Sequence, residues 1–156
     1  MLENNSLDLD SITPGLSRAA KILKQDKRYK SVATELGALY LKDGPSLLHG
    51  DFSPGSWLKT DGSVWVIDPE FCFYGPPEFD LGVMIAHLYL ADQKTDLIAR
   101  LFEGYKPLAV FSRPLALQFA GVEIMRRLIG VAQLPLGYGL EKKIELLEVS
   151  HSLVLN

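Results

Sequence analysis

The sequence predicts an α+β fold that is mostly helical, with one small β-hairpin near its middle. Apolar residues recur at i, i+3 and i+4 spacing on both sides of this hairpin, as they do in helices that bury one face. The hairpin itself is indicated by Asp61-Gly62, which lies between two apolar runs and combines two residues that tolerate positive φ. At 156 residues, the chain is long enough for one domain with a buried core.

The chain before the hairpin predicts a short lead-in followed by helices. Residues 1–15 are mostly polar, and we expect a lead-in segment with at most short structure there. The main unit is expected over 16–156. Helical spacing starts at Leu16 and recurs over 32–40. Gly44-Pro45 then ends the pattern, because glycine favours the C-terminal cap and proline cannot continue a helix. No strand is expected before His49.

The hairpin and the elements after it follow from the same two periodicities. Two apolar runs form the predicted hairpin strands, 56–59 and 63–67. A dense loop rich in glycine and proline is expected at 69–79. Helical spacing then predicts four further segments, which are 80–91, 95–105, 113–134 and 141–155.

Composition excludes several classes of function. The chain has 16 basic and 19 acidic side chains and no basic stripe, so a nucleic-acid partner is not expected. A single cysteine, Cys72, excludes an internal disulfide and a multi-cysteine zinc site, and it fits a reducing compartment. The polar N-terminus lacks the features of a signal peptide, and no apolar run approaches the ~20 residues of a membrane helix. We therefore expect a cytoplasmic protein without a membrane partner.

Two loops beside the hairpin contain most of the chemically informative residues. We call residues 49–56 the Asp51 loop and residues 66–71 the Asp68 loop. Because an antiparallel hairpin brings its outer ends together, the two aspartates are expected to lie near each other. Two neighbouring carboxylates repel each other unless a cation lies between them, and Mg²⁺ prefers carboxylate and phosphate oxygens.

Taken singly, these residues have ordinary structural interpretations. A loop aspartate is usually a turn-former or a helix cap, and a lone histidine is usually hydrogen-bonded within the structure. The combination is more specific, because phosphoryl transfer needs a carboxylate that orients the attacking hydroxyl, a metal held by a second acid and a nearby polar ligand. Asp51, Asp68 and Ser56 meet these needs. A metal-dependent hydrolase is the alternative, and the Asp51-to-Ser56 spacing argues against it.

The motif His-Gly-Asp-x-x-x-x-Ser, followed by the hairpin and Asp-x-Glu, resembles the aminoglycoside and choline kinase-like phosphotransferases. Within that group it is most similar to the 5-methylthioribose kinases, whose loop also ends in serine. The segment Phe71-Cys72-Phe73-Tyr74-Gly75-Pro76 and the patch 125–132 extend the resemblance. Ser53 and Gln133 stand where that family commonly has histidine, which leaves the sugar substrate open.

The resemblance implies roles for residues of both loops. Asp51 would be the catalytic base that takes the proton from a sugar hydroxyl. Asp68 and Glu70 would bind Mg²⁺, with ATP as the co-substrate, and Ser56 would supply a weaker contact to the metal or a phosphate.

The resemblance also implies supporting and substrate-binding residues. His49 and Asp80 would support the catalytic loop rather than transfer protons. Arg126 and Arg127 correspond to a twin arginine in the family's sugar pocket, although by themselves they read as one surface arginine and one salt-bridged arginine. Guanidinium forks suit hydroxyl-rich or phosphorylated ligands.

The resemblance places the chain as the C-terminal lobe of a kinase-like fold whose N-terminal lobe is absent. No glycine-rich Gly-x-Gly-x-x-Gly loop and no ATP-gripping lysine strand occur in the sequence. The chain is then an excised lobe, a shortened relative, or one half of a site that a second polypeptide completes in trans. Two functions stay open: a phosphotransferase acting on a small hydroxylated substrate, or a truncated, non-catalytic protein that binds a metabolite or forms a homodimer.

Overall fold

The computed structural model describes residues 7–107 and 110–156. Within them the secondary structure is mainly helical. The α-helices are Leu9–Ile12 (α1), Leu16–Ala19 (α2), Lys21–Lys24 (α3), Lys27–Tyr40 (α4), Glu78–Leu90 (α5), Asp96–Gly104 (α6), Arg113–Ile129 (α7) and Leu140–Leu155 (α8). The strands are Ser46–Leu48 (β1), Trp57–Lys59 (β2), Val64–Val66 (β3) and Phe73–Gly75 (β4). Two 3₁₀ turns, Pro54–Ser56 and Pro69–Phe71, precede β2 and β4.

Helix α7 is the centre of the core, and it packs against α5 on one side and α8 on the other. Gly121 of α7 permits the second contact, because a Cβ at that position would overlap the carbonyl oxygen of Ser150. Ser150 Oγ in turn donates to Gly121 O at 2.6 Å and shares a 2.8 Å hydrogen bond with Tyr29 Oη of α4. Leu9 of the N-terminal segment is buried in the same core.

The four strands form two separate two-stranded antiparallel sheets. Strands β2 and β3 are the predicted hairpin, with Trp57 opposite Val66. Strands β1 and β4 pair with Leu48 opposite Phe73, and neither was predicted. The expectations of a single hairpin and of no strand before His49 were therefore wrong, while the mostly helical α+β class is confirmed.

The end of α7 also differs from its prediction. The apolar spacing predicts a helix to residue 134, but α7 ends at Ile129. Beyond Gly130 the chain folds back, and the Leu134 amide donates to Arg127 O at 3.1 Å while Gln133 Nε2 donates to Leu128 O at 3.0 Å. These donors satisfy carbonyls that the last turn of a helix leaves without intrahelical partners.

The β2–β3 hairpin projects away from the core and exposes apolar side chains on both faces. Val64, Trp65 and Val66 retain 67%, 59% and 53% of their accessible surface, against a core in which Leu16 and Leu23 retain none. A lone two-stranded hairpin is marginally stable in water, so this one depends on contacts at its base. Among the described residues, no helix is both long and apolar enough to cross a membrane.

Candidate active site

The backbone of the Asp51 loop is held by Asp80, which lies in the first turn of α5. Asp80 Oδ2 accepts from the His49 amide at 2.6 Å, and Asp80 Oδ1 accepts from the Gly50 amide at 3.0 Å. Burial raises the pKa of Asp80, and the two amide donors oppose that rise. Gly50 takes a φ of +85°, which an L side chain rarely adopts, and a Cβ there would overlap the carbonyl of Phe71.

Two hydrogen bonds made by the backbone of Ile67 join the Asp51 loop to the Asp68 loop. The Ile67 amide donates to Ser56 O at 2.9 Å, and Ile67 O lies 2.8 Å from His49 Nε2. Ser56 Oγ is buried and donates to the carbonyl oxygen of Asp51 at 2.8 Å. The loop is therefore stabilised both by His49, which precedes Asp51 in the sequence, and by Ser56, which follows it.

Asp68 follows Ile67 directly, in the left-handed conformation with φ of +67°. It precedes the 3₁₀ turn Pro69–Phe71, which carries Glu70, and both acidic residues are exposed. Their oxygens form a hard donor set at the protein surface. Such a set fits Mg²⁺, which keeps several waters and binds through one or two carboxylates together with substrate phosphates. Within the described residues, no group of three or more acidic, histidine or cysteine side chains gathers around a common point.

Helix α7 brings a charged group to the Asp51 side chain. Arg127 Nη2 donates to Asp51 Oδ1 at 3.0 Å, and Arg127 Nε donates to Glu123 Oε1 at 2.6 Å. Arg126 donates to the same carboxylate twice, from Nε to Oε2 at 2.6 Å and from Nη2 to Oε1 at 2.9 Å. Glu123 therefore accepts hydrogen bonds from both arginines, and Arg127 links it to Asp51.

Glu123 is nearly inaccessible, with 6% of its side chain exposed. Burial alone would raise the pKa of this carboxyl, but the neighbouring His87 imidazole and the two guanidinium groups outweigh burial and lower it to about 2. His87 Nε2 approaches Glu123 Oε1 at 3.8 Å, and within the described chain this buried nitrogen has no hydrogen-bond partner. A carboxylate with these neighbours stays ionised at neutral pH.

A cavity of about 710 Å³ opens beside Asp51. Asp51, Glu123, Arg126 and Arg127 line it, and α4 adds two further polar side chains, Lys30 and Thr34. Its apolar lining comes mainly from α4, α5 and α7, and includes Ala33, Tyr40, Val83, Phe119, Val122 and Met125. The cavity is therefore amphipathic.

Apart from His49 and Asp80, which support the Asp51 loop, the predicted site residues divide into two groups. Asp51, Arg126 and Arg127 line the cavity. Asp68, Glu70 and Ser56 do not line it, and they lie at the hairpin base and along the Asp68 loop. Glu123 was not predicted from the sequence. Its signal is the spacing Glu-x-x-Arg-Arg, because residues three and four apart on a helix are neighbours.

Comparisons with known proteins show which family the chain resembles. The sequence profile of the phosphotransferase enzyme family matches residues 5–117. A methylthioribose kinase of Exiguobacterium sibiricum is 40% identical over 84 residues, which are 54% of this chain and 22% of the relative. Methylthioribose kinases of Bacillus pumilus and Geobacillus kaustophilus are each 32% identical, over 75% and 92% of this chain. The matches span 38% and 43% of those two proteins, so the chain corresponds to less than half of their length.

Proposed function

The chain belongs to the phosphotransferase enzyme family, and on that premise we propose that it provides the catalytic loop and acceptor pocket of a small-molecule kinase. The reaction is magnesium-dependent transfer of the γ-phosphoryl group of ATP to a sugar-type hydroxyl. The observation that carries the proposal is the position of Asp51, on a loop fixed by Asp80 and in the lining of a cavity of substrate size.

In the proposed reaction, Asp51 orients the acceptor hydroxyl and takes its proton. Phosphoryl transfer depends mainly on positioning and charge stabilisation, so a rigid loop is an advantage. Three side chains supply that rigidity. Asp80 accepts from the His49 and Gly50 amides, and Ser56 donates to the Asp51 carbonyl. The His49 ring bonds to the carbonyl of Ile67.

The metal would be held by Asp68 and Glu70, with a weaker contribution from Ser56. Bound Mg²⁺ offsets the charge of the nucleotide phosphates. The exposure of both acids leaves room for water and phosphate oxygens to complete the coordination.

For the acceptor, we propose 5-methylthioribose. Its ribose hydroxyls would face Asp51 and the two arginines, and its methylthio group would face the apolar walls. The matched relatives carry the name methylthioribose kinase, which is the second support for this choice.

The test is transfer of labelled γ-phosphate from ATP to 5-methylthioribose, with magnesium, by the 156-residue chain and by its Asp51→Asn variant. We expect weak transfer by the chain alone, reduced about 10²–10⁴-fold by the substitution, as is typical for loss of a general base. Asp61→Asn in the hairpin turn is the matched control and should retain activity. Transfer that Asp51→Asn leaves unchanged would contradict the assignment.

A second candidate function is favoured by the exposed apolar face of the hairpin. Leu58, Val64, Trp65, Val66 and Ile67 all remain at least 41% exposed, and exposed apolar patches commonly mark protein interfaces. In this alternative the chain is a truncated, non-catalytic protein that binds a metabolite or forms a homodimer, and the exposed hairpin would supply the dimer contact.

Two measurements separate the candidates. Calorimetry with Mg²⁺-ATP should give a saturable signal for the kinase and none for the non-catalytic protein. Sedimentation of the chain should show a concentration-dependent dimer if the hairpin face self-associates, and Trp65→Ser should then weaken that dimer. A monomer at all concentrations would exclude the homodimer.

A further inference from the structure

We propose that Glu123 is a positioning residue for the acceptor site: it holds Arg126 and Arg127 together at the cavity and so sets the contact of Arg127 with Asp51. The inference deepens the proposed function and rests on it, since the site in question is the acceptor pocket.

Glu123 is hydrogen-bonded to both arginines. Its two carboxylate oxygens accept three N–H groups, two from Arg126 and one from Arg127, at distances between 2.6 and 2.9 Å. Charge-assisted hydrogen bonds of this length are among the strong ones in proteins. One side chain therefore restricts two guanidinium groups at the same time.

Helix geometry explains why such a residue is needed. Successive residues of an α-helix point about 100° apart, so adjacent arginines do not face one cavity by default. Glu123 lies three residues before Arg126 and four before Arg127, on the face that both can reach. Both arginines accordingly line the same cavity.

The remaining donors of each arginine show what this restraint achieves. Arg127 uses Nε for Glu123 and Nη2 for Asp51, so its fork spans the two carboxylates. Arg126 turns one edge of its fork to Glu123, and 31% of its side chain remains accessible. We infer that the rest of the Arg126 fork is presented to ligand hydroxyls.

Burial distinguishes the Glu123 cluster from a surface ion pair. The side chains of Glu123 and Arg127, an i, i+4 pair, are 6% and 12% exposed, whereas those of Lys142 and Glu145, an i, i+3 pair of α8, are 24% and 60% exposed. Exposed pairs of the second kind are loosely held. Glu145 therefore serves as the matched control for Glu123.

The experiment measures binding of 5-methylthioribose to the whole chain by calorimetry. Glu123→Gln keeps the size of the side chain and removes its charge, and we expect about tenfold weaker binding or more, the effect of one lost charge-assisted contact. Glu145→Gln should bind as the wild type does. If Glu123→Gln does not fold, Glu123→Asp keeps the charge and shortens the reach, so it should still weaken binding.

A double-mutant cycle separates positioning from general destabilisation. Arg126 and Arg127 are both changed to lysine, which keeps the charges and removes the forks. If Glu123 acts through the arginines, adding Glu123→Gln to that variant should weaken binding much less than it does in the wild type. Equal losses in both backgrounds, or unchanged binding by folded Glu123→Gln, would overturn the proposal.

A readout independent of the ligand keeps the two proposals distinguishable. In the wild type, the Nε–H protons of Arg126 and Arg127 should exchange slowly with solvent in ¹⁵N-resolved NMR spectra, and both should exchange fast in Glu123→Gln. If the chain does not bind 5-methylthioribose, the proposed acceptor fails while slow exchange still supports the role of Glu123. Fast exchange in the wild type would overturn that role.

Discussion

Arg127 donates from Nη2 to Oδ1 of Asp51 across a 3.0 Å contact, although 76 positions separate the two residues in the sequence. The contact joins the long helix α7 to the Asp51 loop and occupies one oxygen of the proposed catalytic carboxylate. We therefore expect the acceptor hydroxyl to approach Oδ2.

Arg127→Met should lower the free energy of unfolding by roughly 2–4 kcal/mol, because it removes one partner from a largely buried network and leaves Asp51 and Glu123 less compensated. Urea unfolding measures the change. Arg100→Met removes an arginine from a pair in which 72% of that side chain is exposed, and it should change stability by no more than about 0.5 kcal/mol. Equal effects of the two substitutions would argue against a buried network.

Asp80→Asn should destabilise the chain by roughly 1–3 kcal/mol. The asparagine side chain has one acceptor oxygen, whereas the aspartate carboxylate uses two, one for the backbone N–H of His49 and one for that of Gly50. The measurement is urea unfolding combined with hydrogen exchange of the Gly50 amide, which should become faster. Asp96→Asn, in the first turn of α6, is the control: it loses only an exposed ion pair with Arg100, so stability should change by no more than about 0.5 kcal/mol and exchange of the Gly50 amide should not change.

Gly50→Ala should cost about 2–4 kcal/mol of stability, since it imposes a positive φ on an L residue and forces a Cβ against the carbonyl of Phe71. Thermal unfolding and the transfer assay should both register the change. Gly62→Ala in the hairpin turn meets nothing within 4 Å and should be close to neutral. A stable, fully active Gly50→Ala variant would show that the loop tolerates another conformation.

The low pKa of Glu123 predicts a component of acid destabilisation. Its folded-state value of about 2 lies below the ordinary 4.5, so the stabilisation is present above pH 4.5 and is lost as pH falls toward 2. The loss is roughly 3 kcal/mol over that interval. Free energies of unfolding in urea, measured from neutral pH to about pH 3, should fall less steeply in Glu123→Gln than in the wild type.

The comparison between those two proteins isolates Glu123. Asp80 changes stability with pH in the opposite direction, because its pKa is raised in the folded state and its contribution to stability is lost as pH rises through that pKa. Asp80 is present in both proteins, so its contribution cancels in the comparison. Parallel pH profiles for the wild type and Glu123→Gln would contradict the low pKa.

Asp68→Asn and Glu70→Gln should each weaken magnesium-dependent binding of ATP by about tenfold or more, because each removes a charged oxygen ligand from a proposed two-carboxylate site. Calorimetry with Mg²⁺-ATP measures the affinity, and thermal unfolding should be little changed, since both side chains are exposed. Glu103→Gln, exposed on α6, is the control. Unchanged affinity in both loop variants would place the metal elsewhere.

Local signals in the sequence predicted the hairpin and most helices. The Asp61-Gly62 turn lies between β2 and β3, and the spacing of apolar residues located α5, α6 and α8 to within two residues. It also located the end of α4, although that helix begins five residues before the pattern does. These features depend on neighbours along the chain, which is why a single sequence contains them. The family resemblance, which rested on the two loops, is confirmed by the profile match over residues 5–117.

Long-range contacts could not be predicted in the same way. Strands β1 and β4 pair Ser46 with Gly75 across the intervening hairpin, so no short turn such as Asp61-Gly62 joins them and marks their pairing in the sequence. The end of α7 was misplaced because Val131 and Ala132 continue the apolar pattern, while the donors that cap the helix come from Gln133 and Leu134. The contact of Arg127 with Asp51 depends on how α7 packs, and no local pattern specifies it.

The close approach of Gly50 to Phe71 has a consequence for protein engineering. The Asp51 loop and the Asp68 loop touch through their backbones at this point, and Ile67 bonds to His49 and Ser56 on either side of it. Neither loop can be exchanged for that of a relative without disturbing the other. A chimeric protein should therefore receive residues 49–71 as one segment, together with Asp80, which accepts hydrogen bonds from the His49 and Gly50 amides.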